Sequence, residues 1–218
     1  MSSSPFADRT FAAVLFDNDG TLVDSTGSVV RSWVRWAREH DIDPESLTGH
    51  HGMPAPAIIA SVAPHLDPAV AFERIEQLEI ADVDGVVALP GVHDAIAALA
   101  GAPVAVATSA TRDLARVRLA AAGIGITQVV TFDDVERGKP HPDPFLLAAQ
   151  RLGVDPTDCI VCEDAPSGIA AARAAGCAVI AVTTTNEADA LAGADLVVGS
   201  LAEVTFTVED GRVLVSLR

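Results

Sequence analysis

Asp17 and Asp19 stand two residues apart in the stretch Phe16-Asp17-Asn18-Asp19-Gly20-Thr21-Leu22-Val23-Asp24-Ser25. On an extended backbone, residues i and i+2 project to the same side, so the two carboxylates can approach one centre. Like charges that close raise each other's pKa unless a cation sits between them. The apolar run at residues 11–16 leads into them; it is too short for an isolated helix and suits a buried strand. Gly20 and Thr21 then let the backbone turn sharply. The stretch reads as a metal-dependent carboxylate site at a strand end, against the alternative of a solvated acidic turn.

Three further apolar runs end in useful polar groups. Residues 104–107 run into Thr108-Ser109-Ala110, and residues 129–132 lead to Gly138-Lys139-Pro140-His141-Pro142-Asp143. Residues 159–162 end at Glu163-Asp164, just before a helix opens at Ala165-Pro166-Ser167-Gly168. An acidic pair in that position suits a hard cation. Each feature alone has an ordinary explanation: Thr108 as a cap, Lys139 as surface, Glu163 and Asp164 as partners of a helix dipole. Together they make a constellation of two carboxylate pairs, a hydroxyl and the only lysine of a chain with thirteen arginines.

The remaining sequence must bring these strand ends to one edge. From residue 92 onward, helical patterns (92–100, 112–122, 144–152, 166–175) alternate with short apolar strands (104–107, 129–132, 159–162, 179–182, 196–198). That alternation predicts an α/β fold whose parallel sheet is covered on both faces. Residues 204–208 and 212–217, joined at Asp210-Gly211, predict a terminal hairpin. Between the first strand and this series lie three helical patterns, at 28–40, 56–63 and 68–80. In the first, Val29, Trp33, Trp36 and Ala37 form a core stripe opposite Arg31, Arg35 and Arg38. The expected organisation is a core of residues 1–23 and 90–218 with a helical cap at 24–89. In open parallel sheets, sites lie at the carboxyl ends of strands, the edge this insertion would cover.

A chain of 218 residues, half of them hydrophobic, suits one large domain or one domain with a smaller one inserted. The net charge of −16 argues against nucleic acid or an anionic membrane as partner. An anionic substrate would need local attraction from a metal, helix N-termini or a few cations. Cys159, Cys162 and Cys177 fit reduced thiols in a cytoplasm. Cys159 and Cys162, three apart on a strand, face opposite sides and share neither a disulfide nor a zinc. There is no run of 18 apolar residues and no basic-then-apolar leader pattern.

These motifs resemble those of the haloacid dehalogenase (HAD) superfamily of phosphotransferases, specifically its phosphatases with a helical cap after the first strand. Residues 17–25 resemble the first motif, Thr108 the second, Lys139 the third, and Glu163-Asp164 the fourth. Asn18 departs from the family, where an apolar residue is usual; the position lends its backbone. Weaker likeness at residues 33–40, His51-Gly52, residues 74–76, Leu89-Pro90-Gly91 and the hairpin points to bacterial sugar or polyol phosphatases, including those acting on glycerol phosphate and 2-deoxyglucose 6-phosphate.

The resemblance implies a Rossmann-like HAD core. It implies Asp17 as nucleophile through an aspartyl-phosphate and Asp19 as general acid and then base. It implies Mg²⁺ on Asp17, the carbonyl of Asp19 and Asp164, supported by Glu163. Thr108, Ser109 and Ala110 would hold phosphoryl oxygens, and Lys139 would offset charge between Asp17 and phosphate. Leaving-group selection would fall to His50, His51, Arg74, Glu76, Glu79 and Arg112. A small phosphorylated substrate and a monomer or weak homodimer in the cytoplasm complete the expectation. The rivals are a β-phosphoglucomutase-like phosphotransferase and a non-catalytic sugar-phosphate sensor. Phosphonate cleavage would need a cap lysine, and residues 22–90 contain none.

Overall fold

The computed structural model describes residues 5–48 and 54–218. Strands β1 (Thr10–Phe11), β2 (Ala13–Phe16) and β3 (Val23–Asp24) open the chain. Helices α1 (Thr26–Glu39), α2 (Ala55–Val62) and α3 (Pro68–Ala81) follow, and β4 (Val87–Ala88) returns to pair with β3 antiparallel. The chain then runs α4 (Val92–Ala98), β5 (Val104–Ala107), α5 (Arg112–Ala121), β6 (Val129–Val130), α6 (Asp143–Leu152), β7 (Cys159–Glu163), α7 (Pro166–Ala174), β8 (Ala178–Val182) and β9 (Leu196–Val198). The strands β10 (Val204–Glu209) and β11 (Arg212–Leu217) close it as an antiparallel hairpin.

Six strands form one sheet in the order β6-β5-β2-β7-β8-β9, and every neighbouring pair is parallel. The strands read as unbroken apolar runs because both faces are covered. Side chains alternate between the faces. Val14, Phe16, Val106, Ile160, Cys162 and Ile180 pack with α4 and the terminal hairpin. Ala13, Leu15, Ala105, Cys159, Val161 and Val179 pack under α6 and α7. Cys159 and Cys162 therefore lie on opposite faces, and all three cysteines are buried and free.

The first apolar run divides. Its opening residues, β1, join β11 antiparallel, while β2 enters the parallel sheet. The expected strand at 129–132 is shorter, because the Asp134 carboxylate accepts from the backbone N–H and hydroxyl of Thr131 and draws Phe132–Asp134 into a 3-10 turn.

The three helices after β3 carry a separate apolar cluster of Trp33, Trp36, Ile58, Ile59, Ile75 and Leu78. Trp36 Nε1 donates to the Ala71 carbonyl at 3.0 Å, tying α1 to α3. Arg31 pairs with Asp82 at 2.8 Å, and Arg35 with Glu39 at 3.0 Å, on the exposed side of α1. The helical insert meets the core where Phe72 lies 6.3 Å from Phe132, ring to ring, and where the Thr111 hydroxyl donates to Glu76.

Candidate active site

β2 lies between β5 and β7, and all three run parallel, so their carboxyl ends share one edge. Asp17 follows β2 directly, and its N–H donates to the Cys162 carbonyl of β7 at 2.9 Å. Thr108 follows β5, Glu163 ends β7, and Lys139 enters from the loop between β6 and α6. Sheet order thus puts Asp17, Thr108 and Glu163 at one edge, and a loop adds Lys139.

Lys139 Nζ donates to Asp17 Oδ1 at 2.5 Å and to Glu163 Oε1 at 2.7 Å. Its side chain is 4% exposed. Burial disfavours the ammonium, but Asp17 and Glu163 outweigh that and hold its pKa above the usual lysine range. Glu163 also accepts the N–H groups of Asp164 and Ala165, both at 2.8 Å. Asp164 accepts hydroxyl donors from Thr21, at 3.3 Å, and from Thr185, while Asn186 Nδ2 donates to its carbonyl at 3.0 Å.

Ligand atoms of Asp17, Glu163 and Asp164 all lie within 4.8 Å of one another. Burial, with help from the neighbouring carboxylates and against Lys139, pushes the Asp17 carboxyl well up. Burial and Glu163 push Asp164 up to about 7. Three acidic groups therefore face one ammonium, a charge balance that a divalent cation bound there would complete. The donors are all oxygens, which suits a hard ion. Two glycines make room for the cradle: a Cβ on Gly20 (φ +86°) would meet the Asp164 carboxylate, and one on Gly168 would meet Glu163.

The Asp19 side chain is held by other partners than this cluster. Its carboxylate accepts from Ser25 Oγ at 2.7 Å and Asn18 Nδ2 at 3.1 Å, and pairs with Arg118 Nη1 at 3.0 Å. Asn18 thus contributes its side chain as well as its backbone. Thr108 is buried, and its Oγ1 accepts the Ala110 N–H at 3.0 Å. Ser109 and Ala110 continue the same turn. Arg112 is not brought to the cluster: its guanidinium is exposed and pairs with Asp134 at 2.9 Å. Arg74 likewise pairs with Glu39 at 2.7 Å. His50 and His51 lie outside the described residues. Glu79 does face the core. Burial lifts its carboxyl to about 7, against the pull of Arg118, whose Nη2 is 3.5 Å away.

Sequence reasoning did not single out Arg118, Thr185 or Asn186. Arg118 could have been found, because the residues spaced as 114, 115, 118 and 119 make the buried face of α5. Thr185 and Asn186 sit in a turn beyond β8 and carry no such periodic signal.

A parallel α/β sheet with these four strand ends at one edge defines a hydrolase of the haloacid dehalogenase-like kind. The chain matches that family, "Hydrolase: haloacid dehalogenase-like hydrolase", over residues 11–176, and belongs to it. It is 42% identical to Hexitol phosphatase A of Escherichia coli (strain K12), over 92% of this chain and 97% of that one. It is 39% identical to the Fructose-1-phosphate phosphatase YqaB of the same strain, over 76% of this chain and 93% of that one. Its fold is similar to the crystal structure of CbbY from Rhodobacter sphaeroides in complex with phosphate, with TM-score 0.78 and 27% identity, over 88% of this chain and 96% of that one.

Proposed function

We propose that this chain is a Mg²⁺-dependent phosphomonoester hydrolase acting on small phosphorylated sugars or polyols through an aspartyl-phosphate. The observation that carries the proposal is the Asp17–Lys139–Glu163 contact, with Nζ 2.5 Å from Asp17 Oδ1. An ammonium there leaves one nucleophilic carboxylate beside a site able to accept a phosphoryl group. The sugar- and polyol-phosphate names of its relatives support the substrate class.

An Asp17 oxygen attacks phosphorus as the bond to the leaving alkoxide breaks. Asp19 gives that oxygen a proton, then takes one from the water that attacks the aspartyl-phosphate. The Thr108 hydroxyl and the Ser109 N–H hold phosphoryl oxygens, and Lys139 offsets charge between Asp17 and the phosphate. Asp17, Asp164, the Asp19 carbonyl and supporting Glu163 would hold Mg²⁺, which supplies Lewis-acid charge at the phosphoryl oxygens.

Residues 1–23 and 90–218 serve as the catalytic core, and residues 24–89 as a cap that selects the leaving group. A cytoplasmic setting fits the three free, buried cysteines. Among the described residues, no helix is long and apolar enough to cross a membrane.

The test is phosphate release from hexitol phosphates, ketohexose 1-phosphates, glycerol phosphates, phosphoglycolate and nucleotides, with Mg²⁺ and with chelator. Metal-dependent release, favouring the sugar and polyol esters, is expected. An isomeric sugar phosphate without net release would make the chain a mutase. Binding without turnover would make it a sensor.

A further inference from the structure

Arg118 is 5% exposed, and a guanidinium so buried needs partners for its charge and its five N–H donors. Nη1 reaches Asp19 Oδ1 at 3.0 Å, and Nη2 lies 3.5 Å from Glu79 Oε2. Nε and Nη2 find no hydrogen-bond partner. Arg118 belongs to core helix α5, Asp19 to the turn after β2, and Glu79 to α3 of the helical insert. The guanidinium therefore links the proposed proton-transfer group to helix α3 of the insert. Glu76, one turn before Glu79 on the same face of α3, takes the hydroxyl of Thr111 at the start of α5. One face of α3 is thus fastened to α5 at two points, and the second contact leads straight to Asp19.

We propose that Arg118 is a positioning residue that sets where the Asp19 carboxylate stands and, through Glu79, couples that position to the docking of the helical insert. With α3 seated, the two carboxylates divide the guanidinium and hold it on α5. With α3 displaced, Arg118 loses one of its two anionic partners, and Asp19 loses a fixed neighbour. Ser25 and Asn18 restrain Asp19 from its own segment only. The proposal rests on Asp19 being the acid and base of the reaction.

The experiment is a set of double-mutant cycles on kcat and KM, using p-nitrophenyl phosphate and a hexitol phosphate. Misplacing a proton-transfer group costs rate rather than affinity. Arg118→Gln is expected to lower kcat about 10- to 100-fold with KM within about threefold, and Arg118→Lys to recover part of the loss. In an Asp19→Asn background, Arg118→Gln should cost nothing further, because it acts through Asp19.

Glu79→Gln leaves Arg118 in place and decides the matter if Arg118→Gln does not fold. It should lower kcat about three- to tenfold, and not at all beside Asp19→Asn. Effects that add in the double variants, or a raised KM at unchanged kcat, would overturn the proposal. If Asp19→Asn itself keeps wild-type kcat, the acid–base assignment fails first, which is a separate result.

Discussion

The carboxylate of Asp164 occupies the space that a side chain on Gly20 would need. Gly20 sits at φ +86°, and a Cβ there would press on Asp164 and on Thr185. The glycine after the two aspartates thus does more than turn the chain: it admits the fourth strand end into the pocket.

Gly20→Ala should therefore lose both stability and turnover. The left-handed backbone alone costs an alanine about 1–2 kcal/mol, and displacement of Asp164 adds to it. Gly153→Ala is the control, since Gly153 has φ +72° and nothing within 4 Å of the added methyl. The control should show a similar backbone penalty in thermal unfolding with kcat unchanged. Gly20→Ala should lower kcat about 100-fold or more. Equal kcat in the two variants would contradict the crowding of Asp164.

Metal should stabilise the fold. Asp17, Glu163 and Asp164 crowd within 4.8 Å around one lysine, so a divalent cation relieves repulsion that only the folded chain suffers. At a hundredfold excess over Kd the gain is about 2.7 kcal/mol, or a rise in Tm of roughly 5–10 °C for a chain of this size. Differential scanning fluorimetry with Mg²⁺ and with chelator measures it. Asp164→Asn should shrink the shift. An unchanged Tm across both conditions would count against a metal at these carboxylates.

Glu79 gives a pH signature. Its carboxyl is lifted from 4.5 to about 7 in the folded chain, chiefly by burial, with Arg118 opposing and Asp19, Glu76 and the Trp33 hydrogen bond also bearing on it. Between those values the folded state binds more protons than the unfolded one, so stability falls as pH rises. Above pH 7 the penalty is complete, at most about 3 kcal/mol. Glu79→Gln should raise Tm over wild type at pH 8 and lose that advantage by pH 5. A Tm difference independent of pH would show that Glu79 is not held up.

Most of the sheet was legible in the sequence, because strands buried on both faces appear as bare apolar runs such as Cys159-Ile160-Val161-Cys162. The polar edge of the sheet was legible for the same reason, since Asp17, Thr108 and Glu163 stand where their apolar runs stop, while Lys139 comes from the loop beyond β6. Most of what escaped detection had no periodicity to show. The ribbon of Val23–Asp24 against Val87–Ala88 is two residues long. The break at Ala12 looks like continuous strand, yet it sends Thr10–Phe11 to the terminal hairpin. Arg112 and Arg118 look alike on a helix rich in arginine. Only the neighbouring Leu114, Ala115 and Leu119 mark Arg118 as inward, while Arg112 pairs outward with Asp134.

The central claim is that Asp17 takes the phosphoryl group beside Lys139. The direct measurement is acid quench of the enzyme during turnover of a hexitol phosphate, followed by peptide mass spectrometry and hydroxylamine treatment. The expected result is a hydroxylamine-labile phosphoryl group on Asp17, absent in Asp17→Asn, which folds but releases no phosphate. Phosphate release by Asp17→Asn at a rate near wild type, or a phosphoryl group on another residue, would contradict it.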